Sequence, residues 1–550
     1  MKHYEESVPF TISLPDRPVH RFLRSAARRF PNRIAIKFYG RSITYRALSA
    51  EADRFANALR DLGVQRSDRV MILLPNVPQT VIAYYGILRI GGVVVFTSPT
   101  NSAEEIIRQV KDSGAKVLIG LGRFAAMIDR VQAQARLDHV ILTYVRDYLP
   151  SIKKRGLRIQ HPLRHGNRSG AQQWSEIIKN QKAIRPDVHI GRNELAVIIY
   201  TGGTSDRPKG VMLSHGNLVA NALQTRHWIT DIREGHETFL CALPFSHSYG
   251  LSATLNAPVM IGATMVLLPT FITEDVLKTI KRERPTLFPG VPTMYMAINN
   301  FRGVRKFGIR SIRACISGAA PLPVEVQEAF EKLTRGRLVE GYGLTEASPI
   351  THGNPLNGLR KIGSIGIPFP STEAKIVDIA TGQDLPAGHT GELVVRGPQV
   401  MLGYWDLPEE TDRVLHKAND DRGLWLYTDD IATMDEDGYF TIINRKKDMI
   451  LAGEYQVYPR DVEEVLFEHP KVKDVVVLGV PLTPVGQKVK AFVVLREGEK
   501  ATPDELLAMC RARLAEWEVP WEIEFRNELP KSFVGKVLRR VLLEEEKLNA

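Results

Sequence analysis

The stretch AVIIYTGGTSDRPKGVMLSHGNL, Ala196–Leu218, decides how the rest of the chain is read. Its first residues, Ala196–Thr201, are apolar without alternation. A short unbroken run of this kind marks a strand buried on both faces, as in a parallel sheet covered by helices. Gly202 and Gly203 follow, then Thr204, Ser205, Asp206, Arg207, Pro208 and Lys209. A loop of this composition can turn backbone N–H groups and hydroxyls toward phosphate oxygens, with Lys209 adding charge. It does not fit the G-x-x-x-x-G-K-[ST] pattern of a Walker A loop. Taken alone, it also reads as an ordinary glycine-rich turn.

Working outward, similar runs recur at Arg69–Pro75, Lys116–Leu121, His139–Val145 and Thr264–Pro269. Between several of them lie stretches of helical period, such as LSAEADRFANALRDLG and SAEEIIRQVKDSG. This alternation predicts layered α/β structure with mainly parallel sheets. The texture changes at about Gly363. Up to Phe440, short strands (AKIVD, ELVVRG, WLYTDDIATM, GYFTII) are separated by Gly, Pro and Asp turns. A β-rich, barrel-like subdomain is expected over about 355–440. After Arg445 the order helix–strand–strand–helix predicts a compact α+β unit. The expected division is a large α/β domain over residues 1–445 and a small, mobile α+β domain over 446–550.

Composition excludes several classes. The chain has 550 residues, 44% hydrophobic and 25% charged, which is ordinary globular usage and neither disordered nor collagen-like. The net charge of +11 is dilute over this length and does not indicate a nucleic-acid partner. Cys241, Cys315 and Cys510 form no CxxC pair, which argues against a disulfide framework and suits a reducing compartment. The longest apolar stretch, Val81–Phe96, is interrupted by Arg89 and Gly91-Gly92. It is shorter than the ~20 residues of a membrane span and reads as a buried helix, a glycine turn and a strand. The start has no apolar signal region. A cytoplasmic protein is expected. The basic stretch Ser151–Arg168 reads either as a solvated connector or as a weak peripheral contact with the anionic inner face of the membrane.

Further motifs follow in order: SGAAPLP (Ser317–Pro323), EGYGLTEASP (Glu340–Pro349), YTDDIATMDEDGYFTIINRKKDMI (Tyr427–Ile450) and PKSFVGKVLRR (Pro530–Arg540). With the loop after Tyr200, this set resembles the adenylate-forming superfamily of acyl-CoA synthetases, luciferases and adenylation domains. The resemblance covers essentially the whole chain. GSIGIPFPSTEAKIVD and GELVVRGPQVMLGYW, within Gly363–Trp405, look closest to bacterial long-chain-fatty-acid–CoA ligases.

The resemblance implies a two-step reaction with ATP, Mg²⁺ and coenzyme A. A carboxylate attacks the α-phosphate of ATP, giving acyl-adenylate and pyrophosphate, and a thiol then takes the acyl group. It also implies roles by position. Thr201, Gly202, Gly203, Thr204, Ser205 and Lys209 would hold the β- and γ-phosphates. Gly318, Ala319 and Ala320 would line adenine, with Gly341 and Tyr342 on its other side. Thr345 would bond the α-phosphate and Glu346 would ligate Mg²⁺. Asp430 would accept the ribose hydroxyls beside Arg445, and Lys536 would stabilise charge at the α-phosphate. His247 would gate the acyl tunnel or, on its residues alone, be a core histidine. Lys447 would be the hinge on which the small domain turns between half-reactions, and Gly453 and Glu454 would lie in the loop that meets the thiol. The expected acid is a medium- to long-chain fatty acid, to which the apolar segment PGVPTMYMAI (Pro289–Ile298) also points. A homodimer is left open.

Three positions depart from the family pattern in one chemical sense. Asp206, Asp429 and Glu454 stand where it has glycine. Each is a place of close backbone approach or positive φ, where a Cβ is penalised. Charge adds to this at Asp206: like unit charges ~4 Å apart repel by about 1 kcal/mol in water and about 4 at an effective dielectric of 20. Two readings therefore stand: a working ligase, or a nucleotide- or acyl-binding member with impaired turnover. A variant of the first forms acyl-adenylate but fails at thiol transfer.

Overall fold

A computed structural model describes residues 3–150, 170–201, 208–417, 423–452, 455–481, 487–531 and 537–549. The basic stretch Ser151–Arg168 lies outside them. The described residues divide into two compact units. One holds the chain up to Thr201, Pro208–Glu373 and Arg396–Leu426; the other holds Ala374–Val395 and Tyr427–Asn549.

In the first unit the apolar runs become neighbouring strands. Leu195–Tyr200, Val93–Phe96, Arg69–Leu73, Val117–Leu121, His139–Thr143 and Ala171–Gln173 lie in this order, all parallel. Gly210–Ser214 folds back antiparallel on Leu195–Tyr200, and the short strand Gly403–Tyr404 pairs antiparallel with it at the edge. The helix Pro78–Arg89 is buried at all twelve positions, which explains its lack of a polar face. Gly91, at φ +75°, turns the chain into Val93–Phe96, as the sequence predicts. The helix Ala103–Ser113 begins with a bond from the Glu105 N–H to the Ser102 hydroxyl and ends at Gly114, φ +60°, a start and stop in keeping with capping chemistry.

A second sheet orders Thr238–Cys241, Thr264–Leu267, Ile34–Phe38 and Arg41–Thr44. Leu287 bridges Phe239 on one side and Ala314 on the other. It thereby leads into a third sheet of Ala314–Ser317, Arg337–Gly343, Ile350–Gly353 and Ile367–Pro368. The motif residues sit at the ends and turns of these strands.

The expected short strands are present, most of their residues in the second unit: Glu373–Val377, Asp384–Leu385, Thr390–Arg396, Leu424–Met434 and Phe440–Arg445. Beyond them, Val472–Pro481 and Gln487–Leu495 pair antiparallel, and Glu522–Phe525 adds in parallel. The helices Pro459–Phe467 and Pro503–Arg513 bury Val462, Leu466, Leu506 and Cys510 with one face of this sheet. Leu542, from the helix Arg539–Asn549, packs with Val476 and Phe492 of the opposite face. Among the described residues no helix is long and apolar enough to cross a membrane.

Candidate active site

The phosphate-loop reading rests on where Leu195–Tyr200 ends. The Thr201 N–H donates to the Lys209 carbonyl at 3.0 Å and closes the base of the loop. Gly202, Gly203, Thr204, Ser205 and Asp206 lie outside the described residues. Lys209 lies just beyond them. Its ammonium is 2.6 Å from a Glu410 carboxylate oxygen and 4.9 Å from the centre of the Tyr404 ring.

The strand Ala314–Ser317 delivers Gly318, Ala319 and Ala320. A Cβ on Gly318 would stand 3.2 Å from the Tyr249 ring, so glycine keeps this floor thin. Ala319 has φ +68°, a left-handed turn that exposes it. The Tyr249 hydroxyl is buried and donates to the Ile316 carbonyl at 2.6 Å. Burial holds the Tyr249 phenol far above its ordinary range, so this group stays a neutral donor. Gly341 is equally constrained, since a Cβ there would come within 2.8 Å of Ile316. Tyr342 stands opposite His352 in the sheet, their rings 5.9 Å apart and tilted by 62°.

The turn after this strand brings Thr345 and Glu346 against Ser248 and Tyr404. The Thr345 hydroxyl is 3.1 Å from the Ser248 hydroxyl. A Glu346 carboxylate oxygen accepts from the Tyr404 hydroxyl at 2.9 Å, and the Glu346 carbonyl accepts from the Met401 N–H at 2.8 Å. His247, half-buried, caps the turn that follows it: its Nδ1 accepts from the Tyr249 N–H at 3.2 Å. A π-helix, Leu251–Asn256, follows at once and is wholly buried. Such wide turns recur at functional sites. Ala253 of this helix, with Tyr249, Ile229, Leu287, Ile316 and Leu356, lines an apolar cavity of about 20 Å³. The helix Pro292–Asn299 buries Met294, Tyr295 and Ile298 but exposes Met296; of the segment Pro289–Ile298, Pro289 reaches the cavity wall.

The second unit carries the other set of predicted residues. Asp430 is 2% exposed, and its carboxylate meets Arg445 Nε at 2.9 Å across the hairpin that pairs these two residues. Asp429 has φ +58°. Its N–H donates to the Glu392 carboxylate at 3.1 Å, and the other Glu392 oxygen is 2.9 Å from the Lys446 ammonium. The Thr428 hydroxyl donates to the Leu393 carbonyl at 2.7 Å. Desolvation, and after it the charge of Arg445, lowers the Lys447 ammonium below the usual lysine range. Gly453, Glu454 and Lys536 lie outside the described residues. Lys531 and Val537, on either side of the Lys536 segment, pair antiparallel.

Among the described residues no three His, Cys, Asp or Glu side chains gather to hold a metal. A lone carboxylate at Glu346 nevertheless fits Mg²⁺, which is usually held by one or two carboxylates together with substrate phosphates and water. Sequence reasoning passed over Ser248, Tyr404, Glu410 and Glu392. Tyr404 and Glu392 lie inside the quoted stretch GELVVRGPQVMLGYW, and Ser248 directly follows His247. Glu410 meets Lys209, and Glu392 meets Asp429 and Lys446, through pairing over longer sequence distances.

Residues 23–405 match the family model of AMP-binding enzymes, and residues 461–536 match that of the AMP-binding enzyme C-terminal domain. The chain is 43% identical to a long-chain-fatty-acid–CoA ligase of Bacillus subtilis, over 100% of this chain and 98% of that protein. It is 37% identical to a protein of the same name from Yersinia pestis, over 99% and 98%. Among solved structures, ATP-bound MatB from Rhodopseudomonas palustris superposes with a TM-score of 0.82 at 28% identity, over 96% of this chain and 99% of that one.

Proposed function

Because this chain belongs to the family of AMP-binding enzymes, we propose that it is an ATP-dependent long-chain-fatty-acid–CoA ligase. The substrate carboxylate oxygen attacks the α-phosphorus of ATP and pyrophosphate leaves. The coenzyme A thiol then attacks the acyl carbon and AMP leaves with the bonding pair. A carboxylate resists direct attack because oxide is a poor leaving group; AMP removes that barrier.

The observation that carries the reading is that Tyr404 joins Glu346 to Lys209 within one unit, with Thr345 next to Glu346 in the chain and its hydroxyl on that of Ser248. Thr345 and Ser248 offer paired hydroxyls to the α-phosphate. Lys209 offers its charge to the outer phosphates. Gly318, Ala319, Ala320, Gly341 and Tyr342 make a thin surface for adenine. In the second unit Asp430, already held by Arg445, offers a fixed carboxylate to the ribose hydroxyls. Glu346 would hold Mg²⁺, which when bound neutralises charge on the phosphate oxygens. Lys536 supplies charge to the α-phosphate and carboxylate oxygens as they approach. His247 stands at the mouth of the acyl site, at the head of the turn that leads to Ala253. The unit beyond Arg445 turns about Lys447 between the two steps, and the Gly453–Glu454 loop serves the second. An acyl chain that enters the cavity behind Ile316 has to displace side chains, since that cavity holds about one water.

Pyrophosphate release is the deciding measurement, with and without coenzyme A, together with thioester detection across a chain-length series. Release that depends on fatty acid, thioester formation with coenzyme A, and an optimum at or above about eight carbons are expected. Preference for acetate or a cinnamate-type acid overturns the substrate class, and adenylate without thioester overturns the second step. The contact with anionic membrane is confined to the stretch Ser151–Arg168. Sedimentation with anionic vesicles that does not respond to salt removes it.

A further inference from the structure

Tyr404 lies between the two groups that would meet the outer end of ATP. Its strand, Gly403–Tyr404, is laid against Gly210–Ser214, which directly follows Lys209. On its other side the Met401 N–H holds the Glu346 carbonyl at 2.8 Å. The backbone therefore leaves Tyr404 little choice of position, and the residue is 6% exposed. Its hydroxyl donates to Glu346 at 2.9 Å while its ring lies 4.9 Å from the Lys209 ammonium. One side chain thus touches both charges. An ammonium over a tyrosine face is attracted by the ring's negative face, and a hydroxyl donating to a carboxylate restricts its rotation.

Glu410 completes the arrangement. It is the third residue of the helix Pro408–Val414, which follows the Tyr404 strand. One oxygen accepts from Lys209 at 2.6 Å and the other from Arg413 at 2.6 Å. The Lys209 hydrogen bond holds the Glu410 carboxyl below its ordinary range. A carboxylate is the nearest protein equivalent of a phosphate edge in charge and acceptor geometry. Lys209 cannot reach a phosphate oxygen with full effect while it serves this carboxylate.

We propose that Tyr404 is a positioning residue that sets Lys209 and Glu346 for the triphosphate and its metal, and that Glu410 is a placeholder which the nucleotide displaces from Lys209. The proposal rests on the roles given above to Lys209 and Glu346. On binding, Lys209 exchanges the Glu410 oxygen for a phosphate oxygen and stays on the Tyr404 ring. Glu410 then turns to Arg413 alone. The placeholder weakens ATP binding, because its ion pair has to break. It also weakens the hold on pyrophosphate, and so favours release of that product.

The test uses the full chain and equilibrium binding, so that it reads affinity without turnover. Glu410→Gln keeps shape and removes charge. It is expected to tighten ATP and pyrophosphate binding by roughly two- to fivefold, the range of a partly exposed ion pair. Tyr404→Phe keeps the ring and removes the hydroxyl. It is expected to raise the Mn²⁺ concentration needed to saturate the ATP-bound protein, read by the loss of the free-ion resonance signal, with metal-free ATP binding held near the parent's. Tyr404→Leu removes both contacts and is expected to weaken metal-free ATP binding as well; Phe in its place restores it. Circular dichroism and thermal melting confirm that each variant is folded. Equal or weaker ATP binding by Glu410→Gln overturns the placeholder, and an unchanged Mn²⁺ titration in Tyr404→Phe overturns the positioning role. Lys209→Ala separates the two levels of failure. If it leaves ATP affinity unchanged, the reading of the phosphate site falls. If it weakens ATP while Glu410→Gln tightens nothing, only the placeholder falls.

Discussion

Asp429, at a position the sequence resemblance assigns to glycine, shows what an acidic residue costs there. It adopts φ +58°, the region where an L-residue pays about 1–2 kcal/mol relative to glycine. Aspartate is among the residues that bear this best, since its short polar side chain finds local partners. Here the strained backbone is anchored from outside: Glu392 takes the Asp429 N–H at 3.1 Å. The Asp429 side chain is exposed, whereas that of its neighbour Asp430 is buried against Arg445. The two aspartates therefore have separable fates. Asp429→Gly is expected to leave the rate of acyl-adenylate formation within about threefold of the parent. It should shift stability by less than about 1 kcal/mol, because relief of strain is offset by the greater freedom glycine brings to the unfolded chain. Pyrophosphate release and thermal melting read both quantities. A tenfold gain in adenylation would mean that Asp429 impairs the nucleotide site after all. Asp206→Gly, in the phosphate loop, should by contrast improve ATP use in the first step.

At the scale of elements, the helix His215–Trp228 makes pH a probe of the first unit. Its N-cap Ser214 forms a capping box with Asn217, which places His215 in the first turn and turns its ring inward. Burial lowers the His215 imidazole to about 4, opposed by the charge of Glu194. The His20 ring lies 5.8 Å away, edge-on, and is held well below its ordinary value by burial, then by His215 and Arg89. Burial also takes His352 down to about 3. All three are neutral when folded and free to take a proton near pH 6.5 when unfolded. Their contribution is thus present above pH 6.5 and is lost as pH falls, down to about 4 for His215 and about 3 for His352. The slope is about 1.4 kcal/mol per pH unit for each imidazole. Urea unfolding at several pH values between 7 and 4.5 should show this loss, and His215→Gln should reduce the slope by one imidazole's share. An unchanged slope would mean that His215 is protonated or hydrated in the folded protein. These buried rings were hard to see in sequence, where a histidine after Ser214 looks like any other polar residue. The strands were easy to see, because two-sided burial leaves an unbroken apolar run. Helix ends such as Ser102 and Gly114 were equally legible, since capping is local chemistry. The roles of Tyr404, Glu410 and Glu392 were not. Each depends on a partner about 40 to 200 residues away, and no local pattern encodes which strand a two-residue strand will join.

For the molecule as a whole, the two-step chemistry makes a demand that a single rigid arrangement meets poorly. The first step needs cationic charge at the α-phosphate, and the second needs an open path for a thiol to the same acyl carbon. In the proposal above Lys536 serves the first requirement and the Gly453–Glu454 loop the second, and both follow Lys447 in the chain. The hinge proposal makes their use exclusive in time. Within the second unit, Glu392 clamps Lys446 immediately before Lys447, so a rotation can begin at Lys447 while the Asp430–Arg445 pair is left in place. Lys536→Ala is then expected to slow acyl-adenylate formation by on the order of a hundred- to a thousandfold, the usual cost of losing one preorganised electrostatic contact to the transition state. Transfer from a supplied acyl-adenylate to coenzyme A should stay within about threefold of the parent, because Lys536 has left the reacting centre by then. The two half-reactions are read separately, the first as pyrophosphate exchange into ATP and the second as thioester formed from synthetic acyl-AMP. Equal losses in both would place Lys536 at the reacting centre throughout, and the exclusive use of the two loops would fall with it.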